Sequence, residues 1–124
     1  MLLSAMKRQQ KKKSRKPKAK IIPRNEFRWK NKTGRTPHPH HVFAQIGNYF
    51  YSIGTTTKPK SRGKANISMH RNPEPGNKEL SYFRPIVEIA HKNDYSNVLS
   101  EWTLCKEDDE KMKPYRIQKK GAID

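Results

Sequence analysis

The densest group of chemically capable side chains is the histidine cluster at residues 38–41, His-Pro-His-His. An imidazole with a pKa near 6.5 can accept or donate a proton at neutral pH, so the cluster can supply a general acid or base. His38 and His40 have the spacing that puts two side chains on one face of a strand. The sole cysteine, Cys105, lies far away in sequence and no carboxylate has ligand spacing, so we expect no metal and no cofactor. Surface histidines beside an anion-binding groove are the alternative interpretation.

A second group joins hydroxyls to positive charge. Three consecutive threonines, 55–57, are followed by a basic loop at residues 58–64. Its cations are Lys58, Lys60, Arg62 and Lys64. Hydroxyl and cationic donors together suit a phosphate group, and we expect these cations to contact nucleic acid. The threonines are explained equally well by the preference of this residue for strands.

Positive charge is concentrated near the N-terminus. The chain has 124 residues and a net charge of +17, and residues 1–36 hold 14 of its 28 Lys and Arg residues but one of its 11 acids. We expect residues 1–20 to form a disordered basic arm, because they offer little apolar surface and their charges repel. Nucleic-acid binding by counterion release is the favoured role, and a solubilising tail is the alternative. The arm cations expected to bind are Lys11, Lys12, Lys13, Arg15 and Lys16.

Residues 21–36 are predicted to be a linker that mixes aromatic and basic side chains. Phe27 and Trp29 lie among several cations in this segment. Rings interleaved with cations can stack on unpaired bases. Their alternate spacing along an extended chain favours instead an anchor of the arm on the domain.

The elements that must position these groups are predicted to be short strands of one small domain, residues 37–114. Two runs rich in β-branched and aromatic residues, 41–46 and 49–57, flank a Gly-Asn pair, which is typical of a tight hairpin. Pairing about that turn sets Thr56 opposite Pro39 and Thr57 opposite His38. The two predicted reactive groups then share one rim, beside the basic loop.

Further strands and one helix complete the prediction. Strands are expected at residues 65–69, 81–90 and 97–104, with an irregular loop at 70–79, and Pro85 must lie at an edge or a bulge. A helix begins at Lys106 and should end at Pro114, which leaves 115–124 as a tail. The fold is therefore expected to be mainly β: a small antiparallel barrel with a C-terminal helix.

The order of these segments resembles the PemK/MazF toxin family, including small proteins of mobile elements that are distantly similar to it. The resemblance lies in a polar-Pro-apolar strand at 38–43, a strand ending in Ile-Gly-Thr-Thr-Thr at 53–57, a short strand near 67–69, a long strand through 81–89 and a closing helix. It covers about residues 35–112. It implies an SH3-like barrel and metal-independent cleavage of single-stranded RNA.

The resemblance also assigns roles to individual residues. It makes Thr56 the threonine that contacts the scissile phosphate and Pro39 the motif proline. The family's arginine is replaced here by His38, with Arg35 three residues earlier as a substitute. The implied catalytic residues are therefore His38, Arg35 and Thr56. The implied partners are RNA rather than DNA, an acidic antitoxin protein and a second copy of the chain.

Other classes of protein stay open at this point. The charge and the strands fit a non-catalytic module that binds RNA, DNA or the ribosome, or an inhibitor encoded by a phage or mobile element. From the length of 124 residues we do not expect a large multidomain enzyme. No stretch approaches the ~20 apolar residues of a membrane-spanning helix, so no membrane partner is expected. One cysteine and no export signal favour a cytoplasmic protein.

Overall fold

Three consecutive strands form the centre of the computed structural model, which describes residues 20–32 and 35–123. They are β1 (Ile21–Lys32), β2 (Arg35–Ile46) and β3 (Tyr49–Thr56), and each is antiparallel to the next. The predicted hairpin between β2 and β3 is confirmed. Gly47 opens its turn with a φ of +58°, which glycine adopts without steric cost.

The remaining elements are short, apart from the helix. The strands follow the order β1-β2-β3-β7-β6, β8 also pairs with β3, and β4 pairs with β5 in a small separate hairpin. Pro85 separates β7 from β8, so the predicted strand at 81–90 is interrupted where a proline cannot donate a ladder hydrogen bond. These elements are β4 (Lys60–Ser61), β5 (Lys64–Ala65), β6 (Ile67–Ser68), β7 (Tyr82–Phe83), β8 (Glu88–His91), a 3₁₀ turn (Lys92–Asp94) and α1 (Lys106–Ile123).

A β-bulge lies in the middle of β2. Phe43 and Ala44 are adjacent, yet both bury their side chains in the same cluster, on the face of the sheet that α1 covers. Strict alternation along a strand forbids this, and one extra residue in β2 permits it. The pairing of β2 with β3 therefore shifts by one residue beyond the bulge.

The helix continues through Pro114, so the prediction that this residue ends it is wrong. Proline removes one backbone hydrogen bond from a helix, but contacts on both sides compensate here. Met112 is fully buried, and the ring of Tyr115 packs edge-on against Phe83 at 5.8 Å. Residues 115–123 are helical rather than a tail. Across the part of the chain that the structure describes, no helix combines the length and apolar character needed to cross a bilayer.

Most of the segment predicted as a linker, residues 21–36, forms the edge strand β1 (Ile21–Lys32) instead. Phe27 is 1% exposed and its ring packs on Trp102, as does the ring of Trp29. Both aromatics thus hold β1 on the domain, as the anchor interpretation expects. The predicted arm lies outside the described residues, except for Lys20.

The sheet stays open instead of closing into a barrel. The predicted strand at 97–104 is wrong: after the 3₁₀ turn, one isolated bridge joins Tyr95 to Lys30 of β1, and the chain then turns at Leu99. Leu99 N donates to the carbonyl of Phe27, so this segment covers the outer edge of β1 without forming a ladder. The mainly β fold, its antiparallel sheet and its C-terminal helix are confirmed.

Candidate functional site

A cavity of about 250 Å³ opens on the face of the sheet opposite α1. The ends of β2 and β3, the β4–β5 hairpin and the residue after β7 line it together. Its basic side chains are Lys58, Lys60, Arg62, Arg84, His38 and His40. Hydroxyls border it at Thr55, Thr56 and Ser61, and no carboxylate is among the described residues that line it.

The bulge in β2 determines which hydroxyl faces the histidines. His40 pairs with Gly54, and continuing this register sets Thr56 opposite His38, so the predicted pairing of Thr56 with Pro39 is wrong by one residue. Directly opposed residues of an antiparallel pair point to the same face. His38 and Thr56 therefore line the same cavity, and the expected shared rim beside the basic loop is confirmed.

The two threonines at the end of β3 differ in what their hydroxyls can do. Thr55 is buried, and its hydroxyl donates to the carbonyl of Pro39 at 3.1 Å. The Thr56 oxygen accepts the backbone N–H of Lys58 at 3.2 Å. Because that bond uses an acceptor position only, the hydroxyl hydrogen of Thr56 can donate to a ligand oxygen.

The basic loop is shaped by a two-residue turn between β4 and β5. Arg62 has a φ of +51° in this turn, a left-handed conformation that side-chain-bearing residues seldom adopt. The turn folds the loop back over the cavity, so that Lys58, Lys60 and Arg62 all reach its wall. Lys64 lies on β5, is exposed, and is not one of the lining residues.

His40 forms the floor of the cavity and is held tightly. Its ring is 2% exposed, and its Nδ1 lies 2.9 Å from the hydroxyl of Ser52, which in turn lies 2.8 Å from the hydroxyl of Tyr95. Burial raises the pKa of Tyr95 to about 12, so this phenol stays protonated. Gly54 makes room for the ring, since a Cβ there would lie 3.1 Å from His40 Nε2.

A carboxylate lies beside the floor of the cavity. One oxygen of Glu88 is 3.4 Å from His40 Nε2 and 3.8 Å from a guanidinium nitrogen of Arg84, and the other is 3.8 Å from the Lys30 ammonium. Arg84 thus lines the cavity with a partly buried carboxylate close by. Sequence patterns do not reveal Glu88 or Arg84, because they are 43 or more residues from the histidine cluster at 38–41.

His41 is excluded from this chemistry, although it adjoins His40. It points to the other face, where its Nε2 bonds Asn25 Oδ1 at 2.7 Å and Nδ1 lies 3.5 Å from Arg116. Burial and the neighbouring Arg116 charge lower the pKa of His41 to about 3, so this ring is a neutral core residue.

Several predicted residues fall outside the described part of the chain. Arg35 opens β2 and pairs with Lys32, but its side chain is outside that part. The five predicted arm cations are outside it as well: Lys11, Lys12, Lys13, Arg15 and Lys16.

A second, larger cavity of about 460 Å³ has a different character. The loop 70–79 forms most of it, and its charged lining is mixed, with Glu74, Glu79 and Glu101 opposing Arg71 and Lys78. A balanced lining gives no preference for an anion. The smaller cavity is therefore the candidate functional site.

Comparisons with known proteins identify no relative of this chain. No family model, no curated protein and no solved structure matches this chain.

Proposed function

We propose that this protein binds single-stranded RNA and seats a backbone phosphate in the cationic cavity. The observation that carries the proposal is the convergence of four cations, two histidines and three hydroxyls on one small cavity without a lining carboxylate among the described residues. Each donor type present there recognises phosphate oxygens. The choice of RNA over DNA rests on the resemblance to PemK/MazF toxins, and that relationship is itself a proposal.

The cavity cations should not contribute equally to binding. Lys58, Lys60 and Arg62 are exposed or near the surface, so their attraction is screened by salt. Arg84 is more enclosed, with 23% of its side chain exposed, so its attraction is screened less. A guanidinium can bind a phosphate with two parallel hydrogen bonds, so Arg84 is expected to contribute most.

Affinity measured against salt concentration tests this proposal. Lys60→Gln and Arg84→Gln should weaken binding of a labelled single-stranded RNA. Each should also lower the steepness of the salt dependence, by about 0.7 for every phosphate that the variant no longer neutralises. Lys113→Gln is the matched control, because Lys113 is an exposed cation on α1. Equal effects of all three substitutions would contradict a specific role for the cavity.

We further propose that the cavity cleaves the bound RNA, because His38 and Thr56 border the same space. The His38 ring acts as the base and takes the proton of a ribose 2′-hydroxyl, and the 2′-oxygen then attacks the adjacent phosphorus. The bond to the 5′-oxygen breaks, and that oxygen leaves with a proton supplied by an acid. The Thr56 hydroxyl and the cations would stabilise the charge that develops on the phosphate, and the product carries a 2′,3′-cyclic phosphate.

Incubation of labelled RNA in EDTA tests for cleavage. His38→Ala should lower the rate about 10²–10⁴-fold, and Thr56→Ala about 10²–10³-fold. Arg35→Ala should also lower the rate, because the resemblance makes Arg35 the third catalytic residue. An oligonucleotide with 2′-deoxyribose should bind but stay intact, since it lacks the attacking hydroxyl. If RNA stays intact while binding is normal, the non-catalytic binding module is the function to retain.

The proposed protein partners rest on the resemblance alone. An acidic antitoxin would complement the net charge of +17, and a second copy of the chain would form a homodimer. Analytical ultracentrifugation of the full chain tests the homodimer.

A further inference from the structure

Two arginines lie over an aromatic ring, on the same face of the sheet as the cavity. The guanidinium carbons of Arg24 and Arg28 are 5.1 Å and 4.9 Å from the centre of the Phe50 ring. Phe50 follows the alternation that also places Ser52 and Gly54 on the cavity side of β3. The arginines thus cover a buried ring, and 28% of the Arg24 side chain and 16% of the Arg28 side chain stay exposed.

Several N–H donors of both guanidinium groups are already used within the protein. Arg24 donates from Nε and Nη2 to the side-chain oxygen of Gln45, at 2.9 Å and 2.5 Å, and from Nη1 to Glu26 at 2.9 Å. Arg28 donates from Nε to Glu26 and from Nη1 to the carbonyl of Ser96 at 2.9 Å. These bonds hold each guanidinium group in place, and the side turned away from Phe50 is the surface on which a base can stack.

The cavity beside the two arginines offers further polar groups to a base. The Glu26 carboxylate lies between the arginines and offsets part of their charge. A shallow cavity of about 590 Å³ beside them is also lined by Lys92, Asn93 and Asn97. Asparagine amides can pair with the edges of unstacked bases, and guanidinium planes can stack on their faces.

We propose that Arg24 and Arg28 form a base-stacking subsite for the same single-stranded RNA, so this inference rests on the proposed function. Gly54 lies four positions after Phe50 along β3, which is about 13 Å at roughly 3.3 Å per residue. One extended strand can therefore seat a phosphate in the cavity and stack a nearby base on the arginine pair. The site recognises an unpaired base, since stacking requires an exposed base face.

Charge-preserving substitutions test the subsite. Arg24→Lys and Arg28→Lys keep the positive charge and remove the flat guanidinium, so the double variant should bind about tenfold more weakly. The salt dependence of binding should be unchanged, because the number of cations is the same. If affinity is unchanged, or if it falls together with the salt dependence, the stacking role is overturned.

An abasic scan of the RNA tests the same subsite without altering the protein. A single abasic nucleotide is moved along the shortest oligoadenylate that binds the wild-type chain at full affinity. One interior position should weaken binding about tenfold, and that effect should disappear in the lysine double variant. Equal affinity at every position overturns the subsite but leaves the proposed function intact, provided that Arg84→Gln still weakens binding. If the wild-type chain binds no RNA, both proposals fail.

Discussion

Two adjacent histidines illustrate how strongly the surroundings of a residue decide its role. His40 lies under the cavity, whereas His41 lies in the core between β2 and α1. Alternation along β2 places them on opposite faces of the sheet, and each ring then finds different hydrogen-bond partners, Ser52 for His40 and Asn25 for His41. Sequence spacing groups His38 with His40, but it does not say which face of β2 packs against the helix.

The pKa of His41 predicts how acid affects stability. It titrates at about 6.5 in the unfolded chain and at about 3 in the folded protein. Between about pH 3 and pH 6.5 the unfolded state binds a proton at His41 that the folded state does not bind. The contribution of His41 to the free energy of unfolding is therefore complete above about pH 6.5 and is lost as the pH falls. The loss is about 1.4 kcal/mol per pH unit. Chemical denaturation from pH 6 to pH 4 should therefore show a shallower dependence for His41→Gln than for wild type, and parallel curves would contradict this.

The close approach of Gly54 to His40 predicts an effect of one methyl group. A Cβ at residue 54 would lie 3.1 Å from two ring atoms that Ser52 and Glu88 hold in place. We expect Gly54→Ala to lower the free energy of unfolding by about 1 kcal/mol. The same substitution in a His40→Ala background should cost little, because the obstructing ring is gone. If Gly54→Ala lowers the free energy of unfolding equally in both backgrounds, contact with the His40 ring is not the cause.

At the scale of elements, one buried carboxylate joins α1 to the loop 70–79. Asp108 is fully buried in the first turn of the helix, and its two oxygens accept the backbone N–H groups of His70 at 2.6 Å and Arg71 at 3.1 Å. The thiol of Cys105 donates to the same carboxylate at 3.1 Å. This residue therefore fixes where the loop begins relative to the helix.

Removal of that carboxylate should be costly. Asp108→Ala removes a fully buried carboxylate and leaves the backbone N–H groups of His70 and Arg71 without their acceptor, so we expect the free energy of unfolding to fall by about 2–3 kcal/mol. Glu110→Ala is the control, since Glu110 is an exposed acid in the same helix, and it should change stability by less than about 0.5 kcal/mol. Urea denaturation of the three proteins measures both effects. Similar values for the two variants would refute the role given to Asp108.

The sequence predicts local elements well and contacts between distant segments poorly. The β2–β3 hairpin is correct because its turn residues and flanking strands are adjacent in the chain. The strand at 97–104 and the helix end at Pro114 are wrong, because the outcome depends on packing against β1 and Phe83. The predicted pairing of Thr56 is one residue out of register for the same reason. The bulge in β2 lets Phe43 and Ala44 pack in one core cluster, and the turn residues give no sign of it.

At the scale of the whole molecule, the sheet separates two environments. One face packs against α1 through the apolar cluster that includes Ile53 and Met112. The opposite face carries the cationic cavity and the arginine pair. The sequence identifies His38, Thr56 and most of the cavity cations, whereas Arg84 joins them only through the pairing of β7 with β3. This separation of charge from core is the feature that the proposed function explains.

The proposed function requires a phosphate of single-stranded RNA to occupy the cationic cavity. Chemical-shift mapping by NMR, with the full chain titrated by a short single-stranded oligonucleotide, locates the binding surface residue by residue. We expect saturable shifts that are largest at the His38 ring and at the backbone amides of Thr56, Lys58 and Lys60, with small changes along α1. Saturable shifts confined to α1 or to the loop 70–79, with the cavity residues unmoved, would contradict the proposal.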